Sequence, residues 1–271
     1  MSGPTTLHSF GPSTMRTSSG IELLARSVED PDGTVVMVHG TLDRGGSFSR
    51  LARRLDGLDA VTFDRRGYQS SRHVGGAISL SDHIEDLGEI VETLDGRGPI
   101  TLVGHSFGGV IAIAATIAMP DAVQAVVAYE PPMPWLWDVP PHAGAVLGDD
   151  PAEEVERFFR RMVSDQAWKR LSDAERQSRI DDGAGLMSDL RIIRTETPFT
   201  LDAVARLVPP LAICVGATSE GHRAVAERVV AAVPGATLAT IPGAPHGAHL
   251  SHPGPLADLV ASHAARRKDR R

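Results

Sequence analysis

Gly104-His105-Ser106-Phe107-Gly108 is where residue type and spacing in this chain converge on nucleophilic chemistry. A serine with a glycine two places to either side can stand on a turn too sharp for a β-carbon at the flanks. Its hydroxyl then projects free of the chain and can attack a carbonyl. The amide of Phe107 would lie at a helix N-terminus, where unpaired N–H groups and the helix dipole favour negative charge. It is a candidate to receive the oxyanion of a tetrahedral intermediate. The competing reading is a serine that caps a helix after a glycine turn. The flanks argue for the first: Ile100 to Val103 reads as a buried strand, and an alanine-rich helical run follows from Val110 to Met119.

The elements that must position this turn follow from periodicity. Ser13–Thr17 and Ile21–Ser27 predict two strands joined by a turn at Ser18-Ser19-Gly20. Thr34 to Val38 is β-branched and apolar on both faces, as a strand covered on both sides must be. A helix is expected from Ser47 to Leu55, a strand from Asp59 to Phe63, and an amphipathic helix from Leu80 to Leu94 after the capping residue Ser79. After the elbow come strands at Gln124–Tyr129, Leu211–Val215 and Thr237–Ile241, with helices at His222–Val233 and Pro253–Arg266. Strands alternating with helices predict a mostly parallel eight-stranded sheet flanked by helices.

The alternation is interrupted after the sixth strand. Glu130-Pro131-Pro132-Met133-Pro134 cannot hold regular structure. From Asp150 to Leu207 the chain reads as charged helices without strands. This divides it into a core, 1–130 with 211–271, and a helical cap, 131–210. Such an insertion is expected over the C-terminal sheet edge, where open α/β sheets bind ligands, so that it closes the site against water.

Four local features together resemble the α/β-hydrolase family over nearly the whole chain: His39-Gly40 after a strand, Asp64-Arg65-Arg66-Gly67-Tyr68-Gln69-Ser70, the elbow, and Gly243-Ala244-Pro245-His246. In that family the nucleophile, acid and histidine follow one another along the chain. The resemblance implies Ser106 as nucleophile and His246 as base; His249 and His252 are the competing histidines. It implies an oxyanion hole from the amides of Phe107 and Thr41, with Leu42 next in line. Asp64 is expected to cap local amides or pair with arginines.

The acid departs from the commoner family pattern, because Ser219 stands where an aspartate is usual and cannot carry charge. Glu130, at the end of the strand after the elbow helix, is favoured; Glu220 is the alternative. Some relatives, haloalkane dehalogenases among them, place the acid at that strand end. A glutamate before two prolines has a stiff backbone that suits an orienting group.

The expected function is a serine hydrolase cleaving an ester, thioester or lactone of a small hydrophobic substrate. The pocket is expected from Leu42, Met133, Trp135 and Trp137, since the chain's three tryptophans all fall in the insertion. A cofactor-free haloperoxidase-like or perhydrolase activity would use the same residues, and a lyase or ligand receptor would keep the pocket without hydrolysis. No sequence pattern for a metal or dinucleotide is present, so no cofactor is expected. A net charge of −7 argues against nucleic acid or an anionic membrane as partner. The oligomeric state is open. One cysteine and no apolar leader or membrane-length run point to a soluble, cytoplasmic protein.

Overall fold

The elbow strand lies inside an eight-stranded sheet in the computed structural model, which describes residues 11–136, 148–217 and 219–264. The strands are β1 Gly11–Arg16, β2 Glu22–Arg26, β3 Thr34–Val38, β4 Asp59–Phe63, β5 Ile100–His105, β6 Ala125–Tyr129, β7 Leu211–Gly216 and β8 Thr237–Ile241. Their order is β1-β2-β4-β3-β5-β6-β7-β8. β2 runs antiparallel to both β1 and β4, and every other pairing is parallel.

Every residue of β3 through β7 is buried, as expected of strands covered on both faces. Successive side chains divide between two cores. Val36, Val38, Leu102, Val126 and Ile213 pack with the helices of one face, and Val35, Met37, Val103, Val127 and Cys214 with those of the other. The sheet-flanking helices are α1 Ser49–Ala52, α2 Leu80–Thr93 and α3 Phe107–Ala118. The segment between β6 and β7 carries α4 Pro151–Met162, α5 Asp165–Arg170, α6 Asp173–Ile180, α7 Gly183–Thr195 and α8 Leu201–Ala205. α9 Glu220–Ala232, α10 Ala248–Ser251 and α11 Pro253–Ala264 complete the chain. α2 begins at the expected cap, where the Asp82 carboxylate accepts the Ser79 amide at 3.0 Å.

Two elements differ from the sequence reading for tertiary reasons. The helix expected over Ser47–Leu55 is a 3-10 turn at Gly45–Phe48 followed by the short α1, and Asp64 Oδ1 accepts the Gly45 amide at the start of that turn at 2.9 Å. α3 starts at Phe107, three residues before the expected start, and so includes Gly108 and Gly109. Glycine is a poor helix former, but a β-carbon at Gly108 would stand 2.1 Å from the Val38 carbonyl oxygen. Only a glycine lets α3 begin this close to β3.

Among the described residues, the segment between β6 and β7 is helical without strands. Val155, Phe159, Trp168, Leu186 and Leu190 of α4, α5 and α7 form a separate apolar cluster that takes in Leu42 from the sheet side. α8 packs instead against α9, with Val204 joining the main core.

Candidate active site

Ser106 follows β5 directly and has φ 53° and ψ −126°, a backbone that L residues seldom adopt. The turn is held by its own amide, which donates to Tyr129 O at 2.9 Å. Gly40, after β3, approaches so closely that a β-carbon there would lie 2.9 Å from Ser106 Cβ. The loop Gly40–Asp43 is thereby brought alongside the serine. Within it the Asp43 amide donates to Gly40 O and the Leu42 amide to the Tyr68 hydroxyl. The amides of Thr41 and of Phe107, the first residue of α3, donate to no group among the described residues.

The structure brings Glu130, and not Glu220, to His246. Glu130 follows β6 with φ 45° and its side chain is fully buried. Its Oε2 accepts from His246 Nδ1 at 2.6 Å, and its Oε1 accepts from the Gly216 amide at 2.8 Å. Burial alone would push this carboxyl up, but hydrogen bonds from His246, Ser219 and Gly216 outweigh it and hold the group down at about 2. Glu220 stands exposed at the start of α9. Burial holds the His246 imidazole below its usual value; Glu130 opposes that shift, and nearby His105 adds to it. With Nδ1–H committed to Glu130, a neutral His246 carries its lone pair on Nε2. The base loop is fastened by His105 Nε2, which donates to His246 O at 2.9 Å, and by the Tyr129 hydroxyl, which donates to Pro245 O at 2.8 Å. Of the competing histidines, His249 is buried in α10 and His252 ends that helix.

A buried polar network holds the loop after β3 from behind. Arg65 donates through Nε to His39 O at 2.9 Å and through a terminal nitrogen to Gly40 O at 3.1 Å. Its fork also grips Asp189 of α7, at 2.6 and 3.1 Å. Tyr68, which accepts the Leu42 amide, donates to the same Asp189 at 2.7 Å. His39 stays neutral in this setting: burial and the Arg65 charge lower it to about 4, and its Nε2 accepts the Arg65 amide at 2.9 Å. Asp64 caps local amides as expected, accepting from Gly45 N and from Ser70 N and Oγ. Nothing in the sequence singled out Asp189 among the many acids of the helical segment. The same is true of Asp182, whose buried carboxylate joins Arg44 and Arg72.

The expected pocket residues are dispersed. Leu42 is buried against the α4–α7 cluster, and Met133 is buried in the main core. Trp135 packs edge-on against Phe199, with ring centroids 5.3 Å apart. Trp168 packs on Phe159 inside the helical cluster. Trp137 lies outside the described residues.

A serine at positive φ, a carboxylate-bound histidine and two amides without an acceptor among the described residues thus stand on an α/β sheet. The sequence pattern of the alpha/beta hydrolase family matches residues 35–259, and the chain belongs to that family. It is 26% identical over 276 residues to the mouse (Mus musculus) sn-1-specific diacylglycerol lipase ABHD11, a match covering 89% of this chain and 85% of that one. It is 31% identical to Lipase LipV of Mycobacterium tuberculosis over 97 residues, a match spanning only 36% of either chain. In fold it is similar to a hydrolase from Pseudomonas aeruginosa PA01, with a TM-score of 0.70 at 20% identity, over 94% of this chain and 98% of that one.

Proposed function

We propose that this chain is a serine hydrolase that cleaves a carboxylic ester, thioester or lactone of a small hydrophobic substrate. The observation that carries the reading is the 2.6 Å contact of buried Glu130 with His246 Nδ1, on a loop held by His105, the residue before a serine at positive φ. Ser106 Oγ attacks the carbonyl carbon while His246 Nε2 takes its proton. Glu130 fixes the tautomer and stabilises the imidazolium that forms. The Phe107 and Thr41 amides bind the oxyanion. Collapse of the intermediate expels the alcohol or thiol, to which His246 returns the proton. Water then attacks the acyl enzyme with His246 again as base.

In this reading residues 131–210 are a cap. The lipase names of the two sequence relatives favour an ester over the other acyl groups. No helix among the described residues is long and apolar enough to cross a membrane, and we place the reaction in the cytoplasm.

Treating the protein with a fluorophosphonate and locating the adduct by mass spectrometry tests the reading. One covalent adduct on Ser106 is expected, competed by a p-nitrophenyl ester. An unlabelled Ser106 in folded protein would end the serine-hydrolase assignment.

A further inference from the structure

We propose that Asp43, His105 and His249 form a second site, which takes a zinc-like divalent transition-metal ion behind the nucleophile turn. One ligand atom from each lies within 4.8 Å of the other two. Asp43 Oδ2 is 3.2 Å from His249 Nε2 and 3.7 Å from His105 Nδ1. Tetrahedral zinc with nitrogen and oxygen ligands at about 2.0–2.1 Å sets its ligand atoms roughly 3.3 Å apart. The two carboxylate–imidazole separations bracket that spacing, and the imidazole nitrogens lie within 4.8 Å of each other.

The hydrogen bonding around the cluster is what asks for a cation. His105 Nε2 donates to the His246 carbonyl, so a neutral His105 presents a lone pair on Nδ1. That nitrogen lies 3.7 Å from the Asp43 carboxylate. Nδ1 of His105 is buried and has no hydrogen-bond partner. His249 is 1% exposed, and neither of its nitrogens makes a hydrogen bond, the 3.2 Å approach to Asp43 included. Unpaired nitrogens against a carboxylate are costly inside a protein. A cation among them would supply the missing partners.

The surroundings have the form of a ligand site. A ligating histidine commonly donates its other ring N–H to a backbone carbonyl, as His105 does. Ser47 Oγ supports Asp43 Oδ2 at 3.0 Å. Phe48 packs on the His249 ring at 4.8 Å, and the two imidazoles lie 4.4 Å apart. Two imidazoles and one carboxylate suit zinc better than calcium or magnesium. The three ligands come from the loop after β3, from the residue before Ser106 and from the α10 segment just after His246. An ion here would tie together the three segments that carry the proposed reaction, as a positioning element and not as a reacting one.

A second group of donors, Glu130, His222 and His246, also lies within 4.8 Å. Its carboxylate is already hydrogen-bonded to His246 and Gly216, so metal there would have to displace the proposed base. The test separates the two. Full-length protein stripped with a chelator is titrated with Co²⁺ and then Zn²⁺, reading metal per chain after gel filtration, Co²⁺ visible absorption, and the unfolding midpoint. One equivalent should bind with tetrahedral-type Co²⁺ bands, and the midpoint should rise with the logarithm of free Zn²⁺. Asp43→Asn and His249→Gln should each weaken binding by about a hundredfold or more, judged against the 10–100-fold that supporting residues alone contribute. His222→Gln should keep the full equivalent. Wild-type protein that takes up no stoichiometric metal overturns the proposal without recourse to any variant. So does uptake that survives both Asp43→Asn and His249→Gln, or that is lost only in His222→Gln.

Discussion

Glu130 Oε2 accepts from His246 Nδ1 at 2.6 Å, although relatives more often place that acid where Ser219 stands in this chain. Glu130→Gln keeps the shape but removes the charge facing His246, and kcat for a p-nitrophenyl ester should fall by about 10⁴, the cost of the same change in a Ser–His–Asp triad. Glu220→Gln should cost under about 1 kcal/mol in stability and leave kcat alone, being an exposed carboxylate at a helix start. A reversed order of the two effects would move the acid to Glu220.

Ser106→Ala and His246→Ala should each abolish hydrolysis with the circular dichroism spectrum intact. Because both act in one proton transfer, the double variant should be no less active than either single one. Multiplying losses in the double variant would show that the two residues act independently.

Asp189→Asn leaves the Arg65 guanidinium buried beside a neutral amide, with Tyr68 and His83 sharing the loss. Breaking a buried ion pair from one side costs about 3–5 kcal/mol, which urea unfolding would read directly. Arg65 also holds the His39 and Gly40 carbonyls, so kcat should fall more than KM rises. Asp182→Asn is the comparison: its arginine partners are partly exposed and can turn to water, so a smaller loss is expected.

Stability should decline as pH falls from 6.5 to about 4. Below 6.5 an unfolded chain protonates His39, while the folded chain, with this residue lowered to about 4, does not. The unfolded state then binds more protons and gains, at up to about 1.4 kcal/mol per pH unit for one such group. His83 and His246, also lowered by burial, act in the same direction. Glu130 adds a further loss between its ordinary 4.5 and about 2. His39→Asn should flatten the first part of the urea-midpoint curve; an unchanged slope would remove His39 from this account.

The sequence alone determined the architecture, because that information is local. Runs such as Thr34–Val38 and Asp59–Phe63 carry their covered faces in their own composition, and the structure has strands with those bounds. The elbow was legible for the same reason: a strand, glycine, serine, glycine and helix follow one another without a gap. The choice between Glu130 and Glu220 was not legible, since both are carboxylates at element boundaries. The parallel pairing of β6 with β7 brings Glu130, and not Glu220, to His246. Tyr129 faces Cys214 across that ladder, which sets the Gly216 amide against the Glu130 carboxylate and leaves Glu220 in solvent. Asp189 on Arg65, and Asp43 beside His105 and His249, are likewise products of tertiary packing. Each joins residues from distant parts of the chain, and whether a charged side chain meets a partner or water depends on neighbours that no local pattern encodes.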